Sequence, residues 1–161
     1  MDILEKLQDE AYKKGIKVKE IGFRSNAKGL YKNNRIILNT EKLNTTSEKA
    51  CVLAEELSHH CNNYGNLLDL NDIASRKQEY KARLAAFNKL IGLSGLINAF
   101  EARCRSIHEF AEFLGVTEDF LFEALECYKT KYGKDVNIDN YTIFFEPYFN
   151  IVSCLNYKYL R

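Results

Sequence analysis

The stretch Thr45-Thr-Ser-Glu48-Lys-Ala-Cys-Val-Leu53-Ala-Glu-Glu-Leu57-Ser-His-His-Cys-Asn62 decides how the rest of the chain is read. Thr45 and Glu48 have capping-box spacing, a hydroxyl to accept from one orphan amide and a carboxylate to reach back to the cap. Ala50, Leu53, Ala54, Leu57 and Cys61 then recur on one face, so the spacing predicts a helix running to about Asn62. Glu55 and His59, four apart, face nearly the opposite way, with Glu56 beside them. Two potential ligands one turn apart stack on one face and can close on a single ion. A neighbouring carboxylate can act as general base toward a water activated there. The same pattern is also an i,i+4 pair on a solvated face, and spacing alone leaves both readings open.

Downstream, a polar loop from Asn62 to Asn66 leads to Asp72, which is placed to cap a second long helix ending near Leu90. On that helix Glu79, Ala82, Ala86 and Leu90 share a stripe, and Tyr80, Leu84, Phe87 and Ile91 form a broader apolar face beside it. A carboxylate on a stripe of alanine and leucine is either paired or a ligand, because an unpaired charge there is costly. The two alanines would let the first helix approach closely. Arg83, four residues on, offers Glu79 a local ion pair, and it could equally orient a ligating carboxylate from behind.

Working outward, Ile3, Leu4, Leu7 and Ala11 predict a helix over residues 2–14 that Gly15 would stop. Val18, Ile21 and Phe23, then Gly29 and Tyr31, then Arg35 to Asn39 read as short strands, with Lys32-Asn-Asn34 as a turn. Leu93 to about Arg105 reads as a third helical region. Ser106 and Glu109 repeat the capping-box spacing before a short helix ending at Gly115, and Thr117 opens another that Gly133 would end. The tail from Asn140 to Tyr157, aromatic-rich around Pro147, reads as strand or extended structure docked on the body. The two helices around Gly115-Val-Thr117 have the rhythm of a helix-turn-helix. The second offers Glu118, Asp119, Glu123 and Glu126 before any Lys or Arg, a surface that would repel a duplex. A packing unit, or a contact for a basic protein partner, is expected there instead of direct DNA binding.

The 161 residues are the length of one domain, or one with a small appendage, and 46% hydrophobic with 28% charged residues excludes disordered and low-complexity classes. With 23 Lys+Arg against 22 Asp+Glu, the formal charge of +1 gives no net pull toward nucleic acid or an acidic membrane. No apolar stretch is long enough to span a bilayer, and the start Met-Asp-Ile-Leu-Glu-Lys lacks a basic region leading into an apolar one, so no secretion signal is expected. Five cysteines without a CxxC pair fit reduced thiols in a cytosol. A cytoplasmic protein without membrane contact is expected.

Three segments in order, Lys28 to Asn39, Leu53 to His60 and Gln78 to Ala82, together resemble the ImmA/IrrE family of zinc-dependent metallopeptidases. These proteins carry His-Glu-x-x-His and are common on prophages and integrative elements, where several act against a phage-type repressor encoded nearby. The resemblance covers about residues 16 to 92, and Tyr132-Gly133 with the aromatic strand and Pro147 also looks like small prophage members. It implies an α+β, helix-rich, zincin-like fold. A small antiparallel sheet would pack on the metal-site helix, with residues 1–92 as the core. Residues 93–161 would form a helical C-terminal half ending in a strand-like segment and packed as one unit with it.

Carried over by position, Glu56 matches the catalytic glutamate, His59 the second histidine as a zinc ligand, and Glu79 the third ligand. Glu55 stands where the family has its first histidine and would be the remaining ligand, with Arg83 behind the ligand set. His60 is an alternative imidazole, although one residue on it points about 100° away. The oxygen-rich set also suits manganese or iron. Cys61 falls on the apolar stripe, where a buried free thiol is expected. The implied function is a metal-dependent endopeptidase acting on a protein, a phage-type repressor. The alternative is a catalytically silent binding protein that keeps the fold with a degenerate site.

Overall fold

A computed structural model describes residues 1–62 and 73–154. The first helix, α1 (Ile3–Lys13), starts at a capping box: the Glu5 amide donates to Asp2 Oδ1 at 2.8 Å, and the Asp2 amide donates to Glu5 Oε2 at 3.0 Å. Three strands follow, β1 (Lys17–Ile21), β2 (Gly29–Lys32) and β3 (Arg35–Asn39), in the sheet order β1-β3-β2. Asn33 and Asn34, at φ 51° and 56°, form the two-residue turn that folds β2 back antiparallel onto β3.

The α+β, helix-rich class is the expected one, but one strand pairing departs from an antiparallel sheet. β1 pairs parallel with β3, because the hairpin fills one side of β3 and the connection through residues 22–28 delivers β1 to the other. Asn39, fully buried, holds that connection in place. Its Nδ2 donates to the carbonyls of Phe23 and Ala27, both at 3.0 Å, and its Oδ1 accepts from the amides of Phe23 and Glu41 at 3.2 and 3.1 Å.

The helix α2 (Thr46–Asn62) begins as its cap dictates, with the Glu48 amide donating to Thr45 Oγ1 at 3.1 Å and the Thr45 amide donating to Glu48 Oε2 at 3.0 Å. Ala50, Leu53, Ala54 and Leu57 are buried against β2, β3 and α1. Full burial of each leucine contributes about 1.5–3 kcal/mol. Helix α3 (Ile73–Leu90) packs along α2 through its small residues: Ala82 and Ala86 are buried, as are Phe87, Leu90 and Ile91. The expected loop after Asn62 and the cap at Asp72 lie outside the described residues.

Helix α4 (Gly92–Glu101) ends four residues earlier than its apolar run suggests, because the chain turns at Arg103 (φ 68°) and the Cys104 amide donates back to the Ala99 carbonyl at 3.1 Å. α5 (Ile107–Leu114) and α6 (Glu118–Tyr132) start at Ser106 and Thr117 as expected, and Gly115 in the left-handed region ends α5. The C-terminal sheet is larger than the tail predicts. It opens at Asp135, five residues before Asn140, with β4 (Asp135–Ile138), β5 (Tyr141–Phe144) and β6 (Asn150–Ser153) pairing antiparallel in that order. One cluster of buried side chains runs from Leu7 and Ala11 through α2 and α3 to Phe120, Tyr128 and Ile151.

Candidate functional site

The second half of α2 turns two sides away from the core, one toward α3 and one toward β2. On the α3 side, His59 Nδ1 stands 3.6 Å from Glu79 Oε2, the two side chains being 23% and 41% exposed. This is longer than a hydrogen bond. It is close to the roughly 3.4 Å that separates two donors each about 2.0–2.1 Å from one tetrahedral ion. Glu55, one turn before His59, has its carboxyl raised by burial, opposed by the charge of Arg83 and reinforced by that of Glu79. The three side chains named for the ion thus lie in one neighbourhood. Two of them meet, and among the described residues no three His, Cys, Asp or Glu groups close around a point. One imidazole and one carboxylate fit two positions of a borderline divalent ion, and Glu55 is the nearby donor of matching chemistry.

Arg83 does not take the local partner its spacing offered. Its guanidinium forms an ion pair with Glu123 on α6 and lies 5.8 Å from the Phe87 ring centre, which leaves Glu79 to His59. Its charge still acts on Glu55.

On the β2 side, Glu56 lies against Gly29. A Cβ at Gly29 would come within 3.1 Å of Glu56 Oε1 and 2.7 Å of Val52 Cγ1, so only glycine lets the strand and helix approach this closely. Burial, with the charges of Glu55 and Glu79 adding to it, pushes the Glu56 carboxyl up to about 7. A carboxyl with that affinity can accept and return a proton near neutral pH. A dication beside it would draw the value down again.

His60 turns from the Glu79 side toward β2. Its Nδ1 is 2.5 Å from Tyr31 Oη, the rings are 5.1 Å apart, and Tyr31 Oη is also 3.0 Å from Asn34 Oδ1. Cys61 is exposed, contrary to the buried thiol expected, because the end of α2 runs past the core to Lys14, whose Nζ donates to Cys61 Sγ at 3.2 Å. The buried thiol of α2 is Cys51, which burial pushes up to about 11.

Sequence reasoning did not single out Tyr31, Gly29 or Glu123 for the site. The first two were findable, since strand residues two apart share a face and Gly29 and Tyr31 therefore point the same way. Glu123 is 40 residues from Arg83, and no local pattern links them.

The family model for the IrrE N-terminal-like domain, peptidase M78, matches residues 11–126. This chain belongs to that family. The match covers well over half the chain and reaches from α1 into α6, further than the hairpin and two helices that carried the resemblance. The IrrE N-terminal-like family is one of metal-dependent peptidases, and both the Glu56 segment and Glu79 fall inside the matched region. No curated protein and no solved structure gives a significant match.

Proposed function

We propose that this IrrE-like chain is a metal-dependent endopeptidase that cuts a protein substrate, a phage-type transcriptional repressor encoded by the same mobile element, in the cytoplasm. The observation that carries the reading is the meeting of His59 and Glu79 from consecutive helices at 3.6 Å, with Glu56 one turn away, in a chain of a peptidase family. His59 and Glu79 would hold one zinc ion with Glu55 as the further ligand. When bound, the ion supplies a Lewis acid that polarises a water and the scissile carbonyl. Glu56 takes the proton of the attacking water and passes it to the leaving amide nitrogen.

The substrate backbone has a place beside Glu56. The Asn39 amide donates to the Lys28 carbonyl at 2.9 Å, so residues 28, 30 and 32 bond inward to β3. The amides and carbonyls of Gly29 and Tyr31 therefore face the outer edge of β2, where an extended peptide can add as a strand. The acidic face of α6, with Glu118, Asp119 and Glu126, suits a basic protein partner better than a duplex.

A second reading is supported by Glu55 itself. A carboxylate in place of the family's first histidine adds negative charge and makes a bound ion a weaker Lewis acid. On that reading the protein binds the repressor and neutralises it without cutting. The two separate on incubation with the purified repressor from the same locus. The peptidase reading expects cleavage that falls by about 10²–10⁴ in Glu56→Gln while thermal stability is kept. Stoichiometric binding without cleavage, unchanged in Glu56→Gln, would establish the alternative.

A further inference from the structure

Along α2, Glu56 and His60 are one turn apart, about 6 Å. Along β2, Gly29 and Tyr31 are two residues apart, about 6.6 Å. Glu56 meets Gly29, with a 3.1 Å approach at the position of an added Cβ, and His60 meets Tyr31 at 2.5 Å. Helix and strand therefore run side by side with matched spacing, and two contacts fix their register. Gly29 meets Glu56 and Val52 Cγ1 by steric approach, which has no preferred direction. The other contact is directional: the phenol of Tyr31 is shared between His60 Nδ1 and Asn34 Oδ1, which ties strand, hairpin turn and helix together. Among the described residues, β2 is bonded to β3 alone, so its outer side has no strand neighbour to stiffen it.

We infer that the Tyr31–His60 pair is a positioning latch, holding the edge of β2 in register with Glu56 so that a peptide added there presents its scissile bond to the general base. His60 on this account serves the strand and not the ion. The consequence for catalysis rests on the peptidase reading; the latch itself does not.

The test compares Tyr31→Phe, His60→Gln and the double variant with the wild-type chain. In the metal-free proteins, amide hydrogen exchange at Leu30 and Lys32, which bond to β3, is expected to accelerate by about threefold to tenfold in each single variant, with exchange in α1 and α6 unchanged. The double variant should add little to either single one, because both remove the same tie. With the repressor as substrate, Tyr31→Phe is expected to raise KM about fivefold or more and leave kcat within about twofold, since positioning is lost and Glu56 is kept. Unchanged exchange at Leu30 and Lys32 overturns the latch. So does a fall in kcat at constant KM, which would place the pair in the chemical step, or loss of bound metal in His60→Gln but not Tyr31→Phe, which would make His60 a ligand. If the wild-type protein cuts nothing, the peptidase reading fails, and the exchange data decide the latch alone.

Discussion

Position 55 carries a carboxylate directly before Glu56 and near Glu79, and that grouping sets the electrostatics of the site. Burial raises the carboxyls of Glu55 and Glu56, the charge of Glu79 adds to both, and Arg83 is the opposing charge at Glu55. Such a group favours an added cation, and His59, 3.6 Å from Glu79, brings an imidazole nitrogen within reach of it. Away from this cluster a single residue offers an independent check on the electrostatics. Exposed His108 shares a hydrogen bond of 2.7 Å with Glu118, and that bond raises the imidazole above its ordinary value. The pair's contribution to stability is therefore fully present below the ordinary histidine range and is lost as pH rises through the raised value. Titration followed by NMR should find His108 above a free histidine, and Glu118→Gln should return it there; an unshifted His108 in the wild-type chain would contradict the contact.

At the scale of elements, α2 and β2 make the site by close approach, and Gly29 is the residue that permits it. Gly29→Ala puts a methyl 2.7 Å from Val52 Cγ1, so strand and helix must part. A loss of about 1–3 kcal/mol is expected on chemical denaturation. Val52→Ala in the same chain should recover part of it, and an additive double variant would show that the contact does not limit the approach. The elements themselves were largely legible in the sequence, because their ends are written locally: Thr45 with Glu48, Ser106 with Glu109, and Asn33-Asn34 at the hairpin turn. What escaped depends on distant partners. The parallel pairing of β1 follows from which side of β3 the hairpin leaves open, and β4 is a four-residue strand whose polar alternation is ordinary loop composition. The exposure of Cys61 escaped for the same reason, since a helical stripe shows which residues align but not where the core ends. The site divides in the same way. Glu55, Glu56, His59 and Glu79 stood out by spacing and type, while the tie of His60 to Tyr31 and of Arg83 to Glu123 needed the fold.

Over the whole molecule, the C-terminal half supports the two site helices from behind. Phe87 of α3 meets Phe120 of α6 edge-on at 4.9 Å, and the Gly92 amide donates to Tyr128 Oη at 3.1 Å. The Arg83–Glu123 pair ties α3 to α6 one turn beyond Glu79. Glu79 is thereby carried on a helix clamped on two sides, α2 in front and α6 behind, and this clamp sets its distance to His59. The central claim, that His59 and Glu79 share one divalent ion, is tested most directly by the metal content of the purified protein with and without those side chains. One zinc or similar ion per chain is expected, lost in both His59→Ala and Glu79→Ala while the fold is retained, and its removal by a chelator should lower the melting temperature, as loss of any ligand specific to the native state must. Metal-free wild-type protein whose melting is indifferent to added zinc, manganese or iron, or metal retained in both variants, would contradict it.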